Sequence, residues 1–155
     1  KRMLDGKPVV VHGDGTSLWT LTHATDFAKA FVGLLGQPAA LGEAYHITSD
    51  EWLSWDAIYR QIAAAADVEP QLVHVASDQI AETIPEWGPG ILGDKAHSMI
   101  FDNSKVKRVV PDFVCTTPFW QGARQVVEYH LNTQDAQQVD TDLDTRLDEL
   151  VRRFG

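Results

Sequence analysis

The first part of the chain alternates between short hydrophobic segments and a polar turn. Residues 8–11 (PVVV) form a β-branched run, and residues 18–22 (LWTLT) alternate apolar with polar positions. Both patterns are typical of β-strands. The segment 13–16 (GDGT) between them is typical of a turn. Together the three segments predict a β-hairpin.

Two helices are predicted next from apolar positions that recur every three or four residues. Thr25 or Asp26 is a suitable cap for a helix that continues to Leu35. One face of this helix is apolar and consists of Phe27, Ala28, Phe31, Leu34 and Leu35. Ser54 is a suitable cap for a second helix over about 55–66.

Three further segments have the composition of strands, namely 44–48, 72–75 and 99–101. Ser77 is expected to cap a short helix that ends before Pro85. Residues 85–90 (PEWGPG) are expected to form a loop on composition alone.

The last third of the chain carries two longer helical patterns. Thr117 and Pro118 are a strong helix start, and the pattern continues to about Leu131. A polar linker over 132–139 precedes an acidic helix over 140–155. That helix has one apolar stripe, made of Leu143, Leu147, Leu150 and Phe154. Short strands that alternate with helices predict an α/β fold, or an α+β fold for this piece in isolation.

Composition narrows the possible functions. The chain has 155 residues and a net charge of −9, which disfavours general binding to nucleic acid or to an anionic membrane surface. No apolar run approaches the ~20 residues of a membrane span. The single cysteine, Cys115, points to a reducing compartment, and we expect a cytoplasmic protein. The chain begins with Lys1 rather than Met, without the apolar stretch of a signal peptide, which is compatible with a cut from a longer chain.

The usual signatures of a complete redox centre are missing from the sequence. The only G-x-G-x-x-G pattern, over 88–93, follows Pro85 and Trp87 rather than a buried strand, so we expect a flexible loop and not a phosphate cradle. None of the three tyrosines is followed by a lysine four residues later. The six histidines have no metal-ligand spacing, and we expect no metal site.

Two features leave alternatives open. His23 and Asp26 are three residues apart at a strand-to-helix junction, where they either fix the turn or form a general-base pair. Trp87 lies among glycines and prolines, where its ring is either a lid or stacking group or is folded onto the domain.

Several blocks resemble, in the same order, the extended short-chain dehydrogenases of the NAD-dependent epimerase/dehydratase family. The blocks are GKPVVVHGDG at 6–15, THATDFA at 22–28, GEAYHIT at 42–48, DNSKVKR at 102–108 and FWQG at 119–122. Only the C-terminal part of that family is represented, over residues 1–131. The resemblance implies that the N-terminal Rossmann region, with its NAD(P) fingerprint and Tyr-x-x-x-Lys pair, is absent from this chain.

The resemblance further implies that this part holds a small-molecule substrate, while the intact parent is an NAD(P)-dependent epimerase, dehydratase or reductase. The candidate substrate-binding residues are Trp19, His23, Trp87, Asp94 and Lys95. We expect no catalytic residue and no bound cofactor in this chain, which is then inactive alone. The resemblance also implies that the strand near 43–48 lies at the edge of the missing sheet, so the isolated piece is expected to self-associate or to rearrange in part. Trp19 stands where related epimerases often have an arginine for the diphosphate, which disfavours a nucleoside-diphosphate sugar.

Two other interpretations stay open from sequence. The chain is alternatively a non-catalytic interaction module from the same superfamily, and its acidic charge then favours protein partners over RNA. A third interpretation is a complete, independent α/β domain, for which monomeric, cooperative unfolding would be the evidence.

Overall fold

A computed structural model describes residues 1–155 and contains two small β-sheets surrounded by helices. Strand β1 (Val9–His12) pairs in parallel with β4 (Leu72–Val75), with Val9 opposite Leu72. Strand β2 (Leu18–Thr20) pairs antiparallel with β3 (Trp52–Ser54). The predicted hairpin is therefore wrong, because β1 and β2 each pair with a strand that is distant in sequence. The mixture of helices with few short strands confirms the predicted α/β class.

Seven α-helices account for most of the regular structure. They are α1 (Ala24–Leu34), α2 (Trp55–Ala65), α3 (Ser77–Thr83), α4 (Gly88–Gly90), α5 (Ser104–Val109), α6 (Phe119–Asn132) and α7 (Thr141–Phe154). Short 3-10 turns cover Pro38–Ala40, Pro85–Trp87 and Gln134–Gln137, and a π-helical turn covers Ile91–Lys95. No helix combines the length and the apolar character that crossing a membrane requires.

Several local predictions need correction. Residues 85–90, predicted as a loop, belong to a series of short helical turns. Of the predicted strand 99–101, only an isolated bridge from Met99 to Trp19 is present. The segment 44–48 is in no strand, and no backbone–backbone hydrogen bond involves it. A β-strand requires hydrogen bonds to a neighbouring strand, and residues 44–48 have no such neighbour in this chain.

The helix caps were predicted less well than the helices. Ser54 caps α2 as predicted, because its side chain accepts a hydrogen bond from the Ala57 amide. The cap of α1 is His23, instead of the predicted Thr25 or Asp26. The predicted Ser77 and Thr117 caps make no capping hydrogen bond.

The larger hydrophobic core lies between the β1–β4 sheet, α3 and α7. Its buried members are Val10, Val75, Ile80, Ile84, Ile91 and Leu150. From α7, Leu143 and Leu147 also pack on this core, so the predicted apolar stripe is used for packing. The N-terminal segment is tied to the same helix by ion pairs from Lys7 to Asp144 at 2.7 Å and to Asp148 at 3.1 Å.

A smaller core joins α1 to α5 and contains Ala30, Val106 and Phe113. Tyr45 and Ile47 pack against this core from one side of the extended 44–48 segment. Gly33 approaches Val110 so closely that an added Cβ would lie 2.6 Å from its Cγ1 atom. The side of α1 that carries small residues therefore faces the protein.

Most of the predicted apolar face of α1 is turned away from both cores, and only Leu34 of that face packs on the smaller core. Phe27 is 43% exposed, Phe31 51%, Val32 62% and Leu35 64%. Phe27 and Phe31 stack on each other with ring centroids 5.9 Å apart. An apolar helix face ordinarily packs on other protein, so this face and the adjoining 44–48 segment form one unpartnered surface. We call it the α1 surface.

Candidate functional site

A cleft of about 370 Å³ lies between β1, α2, α3 and the helical turns over 85–95. Val10, Ile80 and Ile91 provide an apolar wall. The polar and aromatic side chains that line the cleft are His12, Trp55, Tyr59, Glu86, Trp87 and Lys95. A concave, largely apolar site with a few polar groups is the usual form of a small-molecule site.

Two regular elements place the aromatic side chains. Val10 and His12 are two residues apart on β1, so their side chains project from the same side of the strand. Trp55 is the first residue of α2, and Tyr59 lies one turn later, on the same face of that helix. The Trp55 indole nitrogen is buried and has no hydrogen-bond partner. Burial also raises the pKa of Tyr59, so its phenol stays protonated at neutral pH and is available as a donor.

His12 links the strand to the helical turns across the cleft. Its ring lies edge-on to Trp55, with centroids 4.9 Å apart, and its Nε2 atom is 2.9 Å from the Lys95 carbonyl oxygen. Because a carbonyl only accepts, Nε2 carries a hydrogen and donates it. Burial lowers the pKa of His12, which is only 7% exposed, so its ring is neutral at neutral pH.

Lys95 is held through its backbone while its side chain reaches an aromatic ring. The same carbonyl oxygen accepts a second hydrogen bond, at 2.9 Å, from the Ser17 hydroxyl. The Lys95 ammonium lies 5.3 Å from the centroid of the Trp19 ring, within cation–π range. It also lies 3.4 Å from an Asp94 carboxylate oxygen. Trp19 in turn lies 5.5 Å from Trp55, centroid to centroid.

Four of the five predicted substrate-binding residues are therefore close together. Trp87 and Lys95 line the cleft, while Trp19 and Asp94 contact Lys95 at its border. Trp87 is 37% exposed, so its ring forms part of the cleft wall instead of being folded fully into a core. Glu86, which also lines the cleft, pairs with Arg146 of α7 at 2.7 Å.

His23 lies in a different place. It lines a second, mostly apolar cleft of about 380 Å³ between α2, α6 and the start of α1. Its Nδ1 atom is 2.7 Å from the Thr25 hydroxyl, and its Nε2 atom is 2.8 Å from the Gln125 amide oxygen. Both ring nitrogens are thus used for local contacts, and the His23–Asp26 general-base pair is not formed.

Sequence reasoning missed His12, Trp55, Tyr59 and Glu86 as members of the cleft. A helical signal existed for two of them, because Trp55 and Tyr59 have the i, i+4 spacing that places side chains together. For His12 no local signal existed, since its partner Lys95 is distant in the sequence.

The residues of this chain do not fit a dinucleotide. The glycines of the 88–93 pattern lie in short helical turns that follow a 3-10 turn, whereas a phosphate cradle needs a strand before the first glycine. No group of three or more His, Cys, Asp or Glu side chains is placed to hold a metal ion.

The fold is that of the C-terminal part of a Rossmann-type epimerase or dehydratase. The UDP-glucuronic acid 4-epimerase of Bacillus cereus, solved with NAD, matches 87% of this chain with a TM-score of 0.62 at 18% identity. The dTDP-glucose 4,6-dehydratase of Bacillus anthracis, also solved with NAD, matches 87% with a TM-score of 0.65 at 20% identity. The chain covers 37% and 38% of those two proteins, respectively.

Two curated proteins are similar in sequence. The 2'-dehydrokanamycin reductase of Streptomyces kanamyceticus is 28% identical over 108 residues, which cover 70% of this chain and 30% of the reductase. The chloroplast stem-loop binding protein of 41 kDa b from Arabidopsis thaliana is 31% identical over 74 residues, which cover 47% of this chain and 20% of that protein. The chain thus spans a third or less of these relatives. No protein-family model matches it.

Proposed function

We propose that this chain is the substrate-binding part of a longer NAD(P)-dependent epimerase, dehydratase or reductase that acts on a sugar-like or other carbonyl or hydroxyl substrate. The observation that carries the proposal is the aromatic cleft at β1, in a fold shared with NAD-bound epimerases and dehydratases. The similarity to a protein named 2'-dehydrokanamycin reductase supports a carbonyl group as the reacting group of the substrate.

In this proposal the cleft binds and orients the substrate. The rings of Trp55 and Trp87 cover the apolar faces of a sugar-like ring. The Tyr59 phenol and the Lys95 ammonium donate hydrogen bonds to its oxygens. Hydride transfer is the chemistry of the bound nicotinamide, and the residues that hold NAD(P) lie outside this chain.

The α1 surface is the proposed contact with the nucleotide-binding part. The backbone N–H groups of residues 44–48 have no hydrogen-bond partner and the segment makes no backbone–backbone hydrogen bond, so it can pair with the edge of a sheet. Beside it, the exposed aromatic rings of Phe27 and Phe31 supply apolar area for packing. Both features are explained if another layer of the same protein covers them.

The experiment is a kinetic comparison in the whole protein that contains this chain. NAD(P)H formation or consumption is followed by absorbance with a panel of sugars and ketones. The variant Trp87→Ala removes a cleft wall, and we expect it to lower kcat/KM by about tenfold or more, equivalent to ~1.4 kcal/mol of binding energy.

Trp120→Ala is the matched control, because Trp120 is a 51% exposed tryptophan on α6 that lines neither described cleft. We expect it to leave kcat/KM unchanged. Equal effects of the two substitutions, or a whole protein without NAD(P)-dependent activity, would contradict the proposal.

A non-catalytic interaction module is the second candidate function, and the similarity to a stem-loop binding protein favours it. The net charge of −9 makes protein a better partner than RNA for this chain. Two measurements distinguish these functions, namely partner binding through the α1 surface and turnover of NAD(P)H by the whole protein. An interaction module would show the binding and no turnover.

A further inference from the structure

Lys95 is built into the cleft in a way that a surface lysine is not. Its carbonyl oxygen accepts hydrogen bonds from His12 and Ser17, both at 2.9 Å, which fix the backbone of the π-helical turn. Its ammonium lies over the Trp19 ring, 5.3 Å from the centroid, at the border of the cleft. A positive charge therefore stands beside position 19, where the side chain itself is neutral.

The charges around the cleft leave this ammonium only weakly neutralised. Glu86 is engaged with Arg146 at 2.7 Å. Asp94 approaches Lys95 at 3.4 Å, but the two side chains are 39% and 37% exposed, and exposed pairs of this kind are weak. An ammonium has three donors, and Asp94 uses at most one of them. One further anionic group can therefore bind Lys95.

A diphosphate group is disfavoured at the same place. The carboxylates of Asp94 and Glu86 both belong to this border, and no arginine lines the cleft. A diphosphate is bound best by planar, two-pronged guanidinium groups, whereas a lysine is a single point charge.

We propose that Lys95 makes the cleft selective for a ring-shaped ligand with one acidic group, either a carboxylate or a phosphomonoester, in preference to a neutral ring or a nucleoside diphosphate. This inference rests on the proposed function, since it assigns a substrate class to the same cleft. The ring stacks on Trp55 and Trp87, and the acidic group lies against the Lys95 ammonium.

The test is a titration of the 155-residue chain, followed by NMR of the five tryptophan indole N–H groups. The probes are glucose, glucuronate, glucose 6-phosphate and UDP-glucose. We expect the signals of Trp19, Trp55 and Trp87 to move, and that of Trp120 to stay. At least one of the two acids should bind tenfold or more tightly than glucose, and added salt should reduce that preference.

Substitutions of Lys95 test whether its ammonium causes the preference for an acidic over a neutral sugar. Lys95→Met should abolish the preference for the acid, while Lys95→Arg should retain most of it. Lys105→Met is the matched control, because the Lys105 ammonium also lies over a ring, 4.8 Å from the Tyr45 centroid, and pairs with Glu43 at 2.6 Å, but lines neither described cleft. It should behave as the unmodified chain does.

The possible outcomes distinguish failure of the proposed acid selectivity from failure of the proposed substrate-binding function. Equal binding of glucose and both acids, a preference that survives Lys95→Met, or tighter binding of UDP-glucose would overturn the inference and leave the cleft as a ring-binding site. If none of the four probes moves the signals of Trp19, Trp55 or Trp87, the proposed substrate role of the chain fails together with the inference.

Discussion

The carboxylate of Asp26 is buried, and the effect of its removal on the free energy of unfolding can be worked out from its contacts. Asp26 is fully buried and accepts hydrogen bonds from the Thr117 amide at 2.9 Å, the Thr116 amide at 3.1 Å and the Lys29 ammonium at 2.6 Å. These contacts tie α1 to the segment that leads into α6. They also hold α1 in the orientation that turns its phenyl rings outward.

Asp26→Asn keeps the size of the side chain but changes its hydrogen bonding. An amide has one acceptor oxygen, so its NH₂ group then faces a backbone N–H or the Lys29 ammonium. Leaving one partner of a buried charged pair uncompensated costs about 3–5 kcal/mol, and each hydrogen bond to a charge contributes roughly 1.5–3 kcal/mol. Because Lys29 is partly exposed and can turn to water, we expect the free energy of unfolding to fall by about 3 kcal/mol.

The same residue gives a prediction for pH. Burial alone would raise the pKa of Asp26, but the hydrogen bonds from Lys29, Thr117 and Thr116 outweigh it and hold the pKa far below its ordinary value of 3.8. A group whose pKa is lower in the folded state stabilises the fold above its unfolded-state pKa. This stabilisation is lost as the pH falls from about 5 downward, and Asp26→Asn should flatten that part of the profile.

Urea unfolding followed by circular dichroism, at neutral pH and in acid, measures both effects. Glu43→Gln is the control, because Glu43 also pairs with a lysine, at 2.6 Å, but is exposed. It should change the stability little. A loss below about 1 kcal/mol for Asp26→Asn, within the range of an ordinary neutral hydrogen bond, would refute the reasoning.

Three other substitutions test the packing. Gly15→Ala should destabilise the fold by about 2 kcal/mol more than Gly13→Ala. Both glycines have positive φ, but only at Gly15 would a Cβ lie 2.1 Å from the Asp56 carboxylate. Equal losses of stability in urea unfolding would contradict this. Leu150→Ala should lower the free energy of unfolding by about 2–5 kcal/mol, since Leu150 is 0% exposed. A loss below about 1 kcal/mol in thermal unfolding would show that α7 contributes little to the core. Phe31→Glu should reduce self-association of the chain in sedimentation velocity, and unchanged association would place the contact elsewhere.

The helices were largely predictable from sequence because their signals are local. The periodic apolar positions and the Ser54 cap identify α2, and the pattern after Pro118 identifies α6. Strand pairing was not predictable in the same way, because β1 pairs with β4 across a long stretch of sequence. The pattern also showed that α1 has an apolar face but could not show what covers it.

The candidate site was predictable only in part, for the same reason. Trp87 was suggested by its place among glycines and prolines, whereas Trp19 and Lys95 became candidates only through the resemblance to the family. His12 comes to the cleft through tertiary packing that no local pattern encodes, whereas the i, i+4 spacing of Trp55 and Tyr59 was a local signal that was missed. His23 occupies the other cleft because it caps α1 and bonds to Gln125, two contacts that use its whole ring.

Amide hydrogen exchange tests most directly whether this chain is one part of a two-part enzyme. The exchange of residues 44–48 and of the exposed face of α1 is measured in the isolated chain and again within the whole protein that contains it. The proposed docking predicts that residues 44–48, which lack backbone partners here, exchange rapidly in isolation and become strongly protected in the whole protein. Equally rapid exchange in both states would contradict it.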